Sequence, residues 1–403
     1  MTDPSTLADR VRSGALRFHA LEQETDHDTA TAVRRELLQD ETGVDLEVVG
    51  DYAFPAEAAE ANIENMVGAI QVPMGVAGPL PVDGEHLDGE YYLPLATTEG
   101  ALVASVNRGC RVLREAGGVS ARVTADAMTR APVFAVDDLD AAMTTIEWVR
   151  DHEETLADVA EATTNHGRLL GIDDYIVGKR LFFRFRFATG DAMGMNMVTI
   201  ATRAAAERIE AETPATLIAL SGNLCSDKKP AAVNAVMGRG RTVTAEAVIP
   251  HDIVENVLHT SPESIAEIHH SKNILGSAKA GSYGFNAHAA NIVGAAFLAM
   301  GQDEAHVVEG SNAIGTMQAT DAGLSVTMTF ASLLVGTVGG GTRLPSQREA
   351  LGLTGLAGGG DPVGSNARGL AELIAAGALA GELSLLGALA SRQLSEAHEQ
   401  LGR

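Results

Sequence analysis

Apolar and polar residues alternate most cleanly from Leu181 to Phe187: Phe183, Phe185 and Phe187 fall on one face, Arg184 and Arg186 on the other. A period of two predicts a half-buried strand. Elsewhere the helical period prevails. Residues 1 to about 60 read as acidic helices, with Pro55 suited to the first turn of one. Thr98 is placed to cap a helix over Glu99–Ala116, which Gly117 and Gly118 end. An acidic amphipathic helix runs from Asp137 to Thr164, and a second helix, Asn196–Glu210, follows the turn Thr189-Gly190-Asp191. Asn286–Met300 is apolar and helical and stops just before Asp303, and residues 366–400 hold two further helical stretches. Val67–Pro81 carries too much glycine and proline for a helix, yet is apolar enough to be buried.

These elements divide the chain. Residues from about 131 to 220 read as helix, strand and helix in a compact α+β unit. Glycine-rich polar loops of a different character flank it, so it reads as an insertion. A length of 403 residues exceeds one ordinary core, which also favours two or three domains. No GxGxxG follows a strand, so a standard dinucleotide-binding domain is not supported. Leu373–Ala390 approaches the apolarity of a membrane span, but Glu382 and many small residues fit a helix buried in a soluble core better.

Charge narrows the partners. The 53 acidic residues against 29 basic ones give a net charge of −24, the wrong sign for non-specific nucleic-acid binding. Only five of the basic residues are lysine. An acidic, lysine-poor surface suits a halophilic protein, because high negative charge keeps it soluble where salt screens almost completely. Cys110 and Cys225 offer neither a metal spacing nor a disulfide framework, which fits a reducing cytoplasm. Met1–Arg17 lacks the apolar core of a secretory signal.

Where arginine is the usual cation, adjacent lysines invite a chemical explanation. Lys228 and Lys229 lie in Ser221-Gly-Asn-Leu-Cys-Ser-Asp-Lys-Lys-Pro230, beside Asp227. An ammonium is a compact donor able to meet one developing oxyanion; the alternative is a solvated polar loop. Lys272 is a third lysine in a polar setting. Glu99 falls at the expected helix start, where the dipole favours the carboxylate, so use as a proton donor needs burial or a neighbouring carboxylate. His398, close to the end of the chain, reads on its own as a surface residue. Two glycine-rich runs, Asp191–Met197 and Gly336–Thr342, permit close backbone approach to a phosphate or flat ring, although such runs are more often tight turns.

Taken in order, several segments resemble 3-hydroxy-3-methylglutaryl-CoA reductases of class I, the eukaryotic and archaeal type. They are Glu64–Gly68 with Pro73–Leu80, Thr97–Gly100, Asp126–Arg130, Asp191–Met197, Ser221–Pro230, Asn286–Asn291, Gly301–Asp303 and Gly336–Thr342. The resemblance implies that Lys228 holds the thioester oxygen and Glu99 protonates the aldehyde oxygen. It implies that Asp303 couples to both and that His398 protonates the departing CoA thiolate. Arg130, Ser221, Asp227, Lys229, Lys272 and Asn291 are implied to hold the hydroxymethylglutaryl part. Asp191, Met193, Gly194, Met195 and Asn196, with Gly339, Gly340 and Thr342, are implied to contact NADPH.

The fold so implied is α+β: a large helix-rich substrate domain around a central helix, with an inserted small α+β, ferredoxin-like cofactor domain. Residues 1–66 form an N-terminal helical region, 67–130 and 231–403 the large domain, 131–220 the small NADP-binding domain, and 221–230 the linking active-site loop. The resemblance further implies a homodimer or dimer of dimers with sites at the interface and Glu64–Gly68 in the dimerisation segment. It implies no metal, nucleic-acid or membrane partner, and a cytoplasmic enzyme of the mevalonate pathway. One departure is Asn165, where members of the family often carry arginine, so selection for NADPH falls to Arg168 or His166. The animal enzymes' phosphorylatable serine and membrane domain are also absent from the sequence. Two other readings stay open. A Schiff-base lyase using Lys228 would be trapped by borohydride, and a non-catalytic acyl-CoA-binding protein would leave NADPH fluorescence unchanged.

Overall fold

The computed structural model describes residues 3–401, with side chains as far as Arg392. Its strands are β1 (Met74–Gly84), β2 (Asp88–Ala96), β3 (Val119–Arg130), β4 (Val133–Ala135), β5 (Arg168–Val177), β6 (Arg180–Ala188), β7 (Thr216–Ala219), β8 (Gly240–Ile249), β9 (Ala313–Thr320) and β10 (Gly323–Leu333). The main sheet runs β2-β1-β3-β8-β10-β9, antiparallel except where β1 meets β3. The second runs β7-β4-β6-β5, all antiparallel. With helices Leu139–Asp151, Glu153–Glu161 and Met195–Glu212 between its strands, that sheet has ferredoxin-like connectivity.

One strand belongs to both sheets. Ala127 of β3 pairs with Gly240 of β8, whereas Met128, Thr129 and Arg130 pair with Phe187, Arg186 and Phe185 of β6. The small sheet therefore begins at Met128, three residues before the expected boundary. Met128 and Leu334 join Phe134, Phe183, Phe185 and Phe187 in its core.

The large core lies between the main sheet and the helix Ser365–Leu401, flanked by helices Leu102–Glu115 and Ala289–Ala299. Where the sequence predicts two helices over 366–400, the structure has one. Its glycines are contact points instead of breaks: a Cβ on Gly377 would meet Leu93 Cδ2 at 2.3 Å. Conversely, Gly109 admits this helix, since a Cβ there would lie 1.9 Å from the Ala380 carbonyl oxygen. The span Ser365–Arg392 is long and apolar enough to cross a membrane, but 83% of its most apolar window is buried inside the fold.

Other expectations need adjustment. The helix after Thr97-Thr98 starts at Leu102, because Ala101 adopts a left-handed φ of 69° and Thr97, not Thr98, accepts the Glu99 amide. The predicted helix over 137–164 is two, broken at His152, whose ring stacks on Trp148. Within Val67–Pro81 only Ala77 and Leu80 are buried; Ile70 is 81% exposed. β6 is not half-buried in the simple sense, since Arg184 is as buried as the phenylalanines and donates to the Gly238 carbonyl at 2.9 Å.

Candidate active site

Each glycine-rich run forms one wall of a cleft of about 680 Å³. Met193, Gly194, Met195 and Asn196 face Gly336, Gly339, Gly340 and Thr342 across it, with Lys228, Gln302 and Asp303 at the side. The runs meet at a bridge between Ala192 and Val338 and a Thr337-to-Asp191 backbone hydrogen bond of 2.8 Å. Glycine is required at 194, where φ is +94° and a Cβ would lie 2.3 Å from Thr189 Cγ2. There the helix Met195–Glu212 begins, so its free amides open toward the cleft, an arrangement suited to an anion.

Arg241, which nothing in the local sequence marks, fastens both walls. It is 1% exposed, and its guanidinium donates to Gly190 O at 2.6 Å and to Val335 O, with Asp126 as counter-ion at 3.3 Å. Asp191 is also different from expectation. Its carboxylate accepts from the amides of Gly360 and Gly364 at 2.9 and 2.8 Å and of Ala367 at 3.1 Å, capping the long C-terminal helix. Its side chain is thus spent on structure, and what it does for the cleft it does by holding the loop. Asp191→Ala should cost about 1–3 kcal/mol, the range for buried donors left unpaired. A urea-unfolding midpoint equal to that of the wild type would refute this.

Loop 221–230 is conformationally costly. Asn223, Ser226 and Lys228 all have positive φ (63°, 48° and 56°), a clustering typical of functional sites. The loop is held from below: Glu309 Oε1 accepts the Lys228 amide at 3.0 Å, and Asn234 Nδ2 donates to Ser226 O at 3.0 Å. This aims Lys228 Nζ at Asp303 Oδ2, 2.8 Å away. Burial pushes the Asp303 carboxyl up, but the Lys228 hydrogen bond, the neighbouring His306 and the Lys228 charge outweigh it and hold the group below the usual carboxylate range. Gly222 donates to Ala131 O at 2.7 Å, which sets Ser221 beside the end of β3 and Arg130. Arg130 Nε is buried without a protein acceptor. Lys229 Nζ bonds the Asp227 carbonyl at 3.0 Å.

Glu99, Asn291 and Lys272 lie elsewhere. Asn291 Nδ2 donates to Glu99 Oε1 at 3.3 Å near the start of helix Ala289–Ala299. Glu382, 2% exposed, ties that end to the turn bearing Lys272, accepting from the Ala287 and His288 amides and from Asn273 Nδ2. Asp303 follows the other end of the same helix, so the two groups stand on the order of 15 Å apart at 1.5 Å per residue. Within one chain Asp303 therefore does not couple to Glu99 as expected, and Glu99 is exposed, before the helix and not at its first turn. His398 lies outside the residues whose side chains are described.

Beneath Lys228 the structure adds a buried cluster not anticipated from sequence: Arg239, His306 and Glu309. Asp227, His306 and Glu309 offer ligand atoms within 4.8 Å of one another, but Arg239 pairs with Asp227 at 3.0 Å and Glu309 at 2.9 Å, so a cation is already in place. The signal was present in the spacing Asp303-x-x-His306-x-x-Glu309, which places three polar groups on one helical side.

The fold that carries this lysine, its carboxylate partner and the glycine-walled cleft is shared with a solved reductase. The class II 3-hydroxy-3-methylglutaryl-CoA reductase of Streptococcus pneumoniae, solved bound to NADPH, superposes with a TM-score of 0.68 at 21% identity, over 88% of this chain and 86% of that one. The family model for hydroxymethylglutaryl-coenzyme A reductase matches residues 30–403, and the chain belongs to that family. It is similar to the 3-hydroxy-3-methylglutaryl-coenzyme A reductase of Haloferax volcanii, 62% identical over the whole of both chains. The Pyrococcus abyssi reductase is 53% identical over 98% of this chain and 99% of its own.

Proposed function

We infer that the protein reduces 3-hydroxy-3-methylglutaryl-CoA to mevalonate and CoA, consuming two NADPH and two protons. The observation that carries this is the 2.8 Å Lys228–Asp303 pair at the side of the glycine-walled cleft. NADPH supplies the two hydrides. Met193–Asn196 and Gly339, Gly340 and Thr342 bind it, with the start of helix Met195–Glu212 facing its phosphates. Lys228 meets the thioester oxygen and stabilises the charge that grows there as the carbonyl is reduced. Arg130, with its unpaired buried Nε, holds the hydroxymethylglutaryl part together with Ser221, Asp227 and Lys229, the substrate carboxylate falling to Arg130 and Lys229. The Schiff-base alternative is disfavoured, since Asp303 keeps the Lys228 ammonium engaged. The direct test follows NADPH oxidation with hydroxymethylglutaryl-CoA, with NADH as control; no oxidation would overturn the reading.

The proposed active unit is a homodimer. Glu99, Asn291 and Lys272 from one copy complete the Lys228–Asp303 half of the other, which answers their separation within one chain. Ile63, Ile70 and Met74, exposed at 49, 81 and 48%, supply apolar surface for that contact. We assign the small unit, residues 128–220, to the nucleotide, with Arg168 or His166 on its 2′-phosphate, and place the protein in the cytoplasm.

His398 is assigned to protonating the CoA thiolate. Free thiols ionise near 8.5, so the thiolate leaves passably unaided and the loss on mutation is partial. His398→Gln should slow the full reaction while free mevaldehyde is reduced at nearly the normal rate. Equal slowing of both half-reactions would refute the assignment.

Salt dependence follows from charge. At −24 the folded chain repels itself most when screening is weak, so molar potassium chloride should raise the melting temperature. A melting temperature indifferent to salt would remove the halophilic reading without touching the enzymatic one.

A further inference from the structure

Behind the Lys228–Asp303 pair lies a histidine that the proposed reaction does not use. His306 is completely buried. Its Nδ1 lies 3.0 Å from Glu309 Oε1, an oxygen that already accepts the Lys228 amide at 3.0 Å and Arg239 Nη1 at 2.9 Å. A carboxylate oxygen only accepts, so Nδ1 carries a hydrogen. The opposite nitrogen, Nε2, is buried without a hydrogen-bond partner and faces Asp303 Oδ2 at 3.5 Å and Asp227 Oδ1 at 3.9 Å. A lone pair aimed at two carboxylates is repelled by both, whereas an N–H is drawn to them.

The charges agree with that. Asp227, Asp303 and Glu309 are answered by two permanent cations, Arg239 and Lys228. A third positive charge balances the cluster, and an unbalanced buried charge is expensive. The groups facing the ring are Asp303 on its own turn, Glu309 on the next, and Asp227 on the loop that carries Lys228. Arg239, at the head of β8, stands one bond further out.

We propose that His306 is a positioning residue, charged and set behind Asp303, which through that carboxylate governs how much of the Lys228 charge is free for the substrate oxygen. The proposal rests on the oxyanion role assigned to Lys228. With an imidazolium behind it, Asp303 is shared between two cations, and Lys228 turns readily to the oxygen as negative charge develops. With a neutral ring, Asp303 holds the ammonium back. Turnover therefore depends on the charge of the ring.

His306→Gln keeps similar bulk and an N–H donor but cannot take a charge. Compared across pH, the wild-type kcat should exceed that of the variant roughly tenfold wherever the ring is charged, the size of one screened charge at this range. The two should converge wherever the nitrogen-15 spectrum shows the ring neutral, with KM for hydroxymethylglutaryl-CoA nearly unchanged. Nitrogen-15 histidine spectra of the wild-type protein read the ring directly and depend on no variant. One ring, slow to exchange with solvent, should carry protons on both nitrogens at acid pH. A kcat ratio that does not follow the charge of the ring overturns the proposal, and so does a His306 ring neutral throughout. Failure of the Lys228 assignment is distinct: Lys228→Arg would then keep its turnover, while the histidine spectrum would read as before.

Discussion

Lys228→Arg is expected to abolish most turnover, by roughly 10²–10³ in kcat, the cost of losing one well-aimed oxyanion donor. The charge is conserved, so the loss isolates geometry. Lys228 sits in a left-handed turn with its amide pinned by Glu309, and its single nitrogen meets Asp303 at 2.8 Å. A guanidinium is longer, planar and forked, and would pair with Asp303 through two nitrogens instead of leaving one hydrogen for the substrate. Cofactor binding should survive, since the cleft walls are built elsewhere. Single-turnover reduction with bound NADPH at a near-normal rate would exclude Lys228 from the chemistry.

The second large effect is one of stability. Arg241→Met should destabilise the fold by about 3–5 kcal/mol, the usual cost of breaking a buried ion pair from one side. The substitution strips a donor from the carbonyls of Gly190 and Val335 and a counter-charge from Asp126. Asp126 keeps Arg368 at 3.0 Å, which sets the lower end of the estimate. Because both glycine-rich walls lose the same anchor, NADPH affinity should fall along with the urea midpoint. An unfolding midpoint within error of the wild type would contradict the burial argument.

Lys228 could be picked out of the sequence because lysine is rare here, and a rare cation in a polar loop asks for a reason. Arg239 and Arg241 could not, because arginine is the common cation of this chain and burial leaves no mark on the letter. Asp191 stands in a glycine-rich run that walls the cleft, but its carboxylate answers the amides at the start of a helix that begins more than 170 residues later. That pairing is tertiary and has no local signature. The single long C-terminal helix was not legible, because its glycines weaken a helix in isolation. Packing against Leu93 and the helix Leu102–Glu115 repays that weakness only once the fold exists. The alternation at Phe183–Phe187 was legible, while the burial of Arg184 opposite it was not, since the Gly238 turn meets Arg184 while Arg186 on the same face stays partly open.

Strand β3 also bears on how the two sheets could be taken apart or exchanged. A transplant cut at residue 131 would leave Phe185, Arg186 and Phe187 of β6 with an open edge, and open edges recruit foreign strands. A swap of nucleotide units between relatives should therefore carry Met128, Thr129 and Arg130 with the insert. Arg130 would then travel with the cofactor unit although its assigned ligand is the other substrate. Modular exchange in this fold cannot change the nucleotide partner without also importing one of the groups that grips the acyl chain.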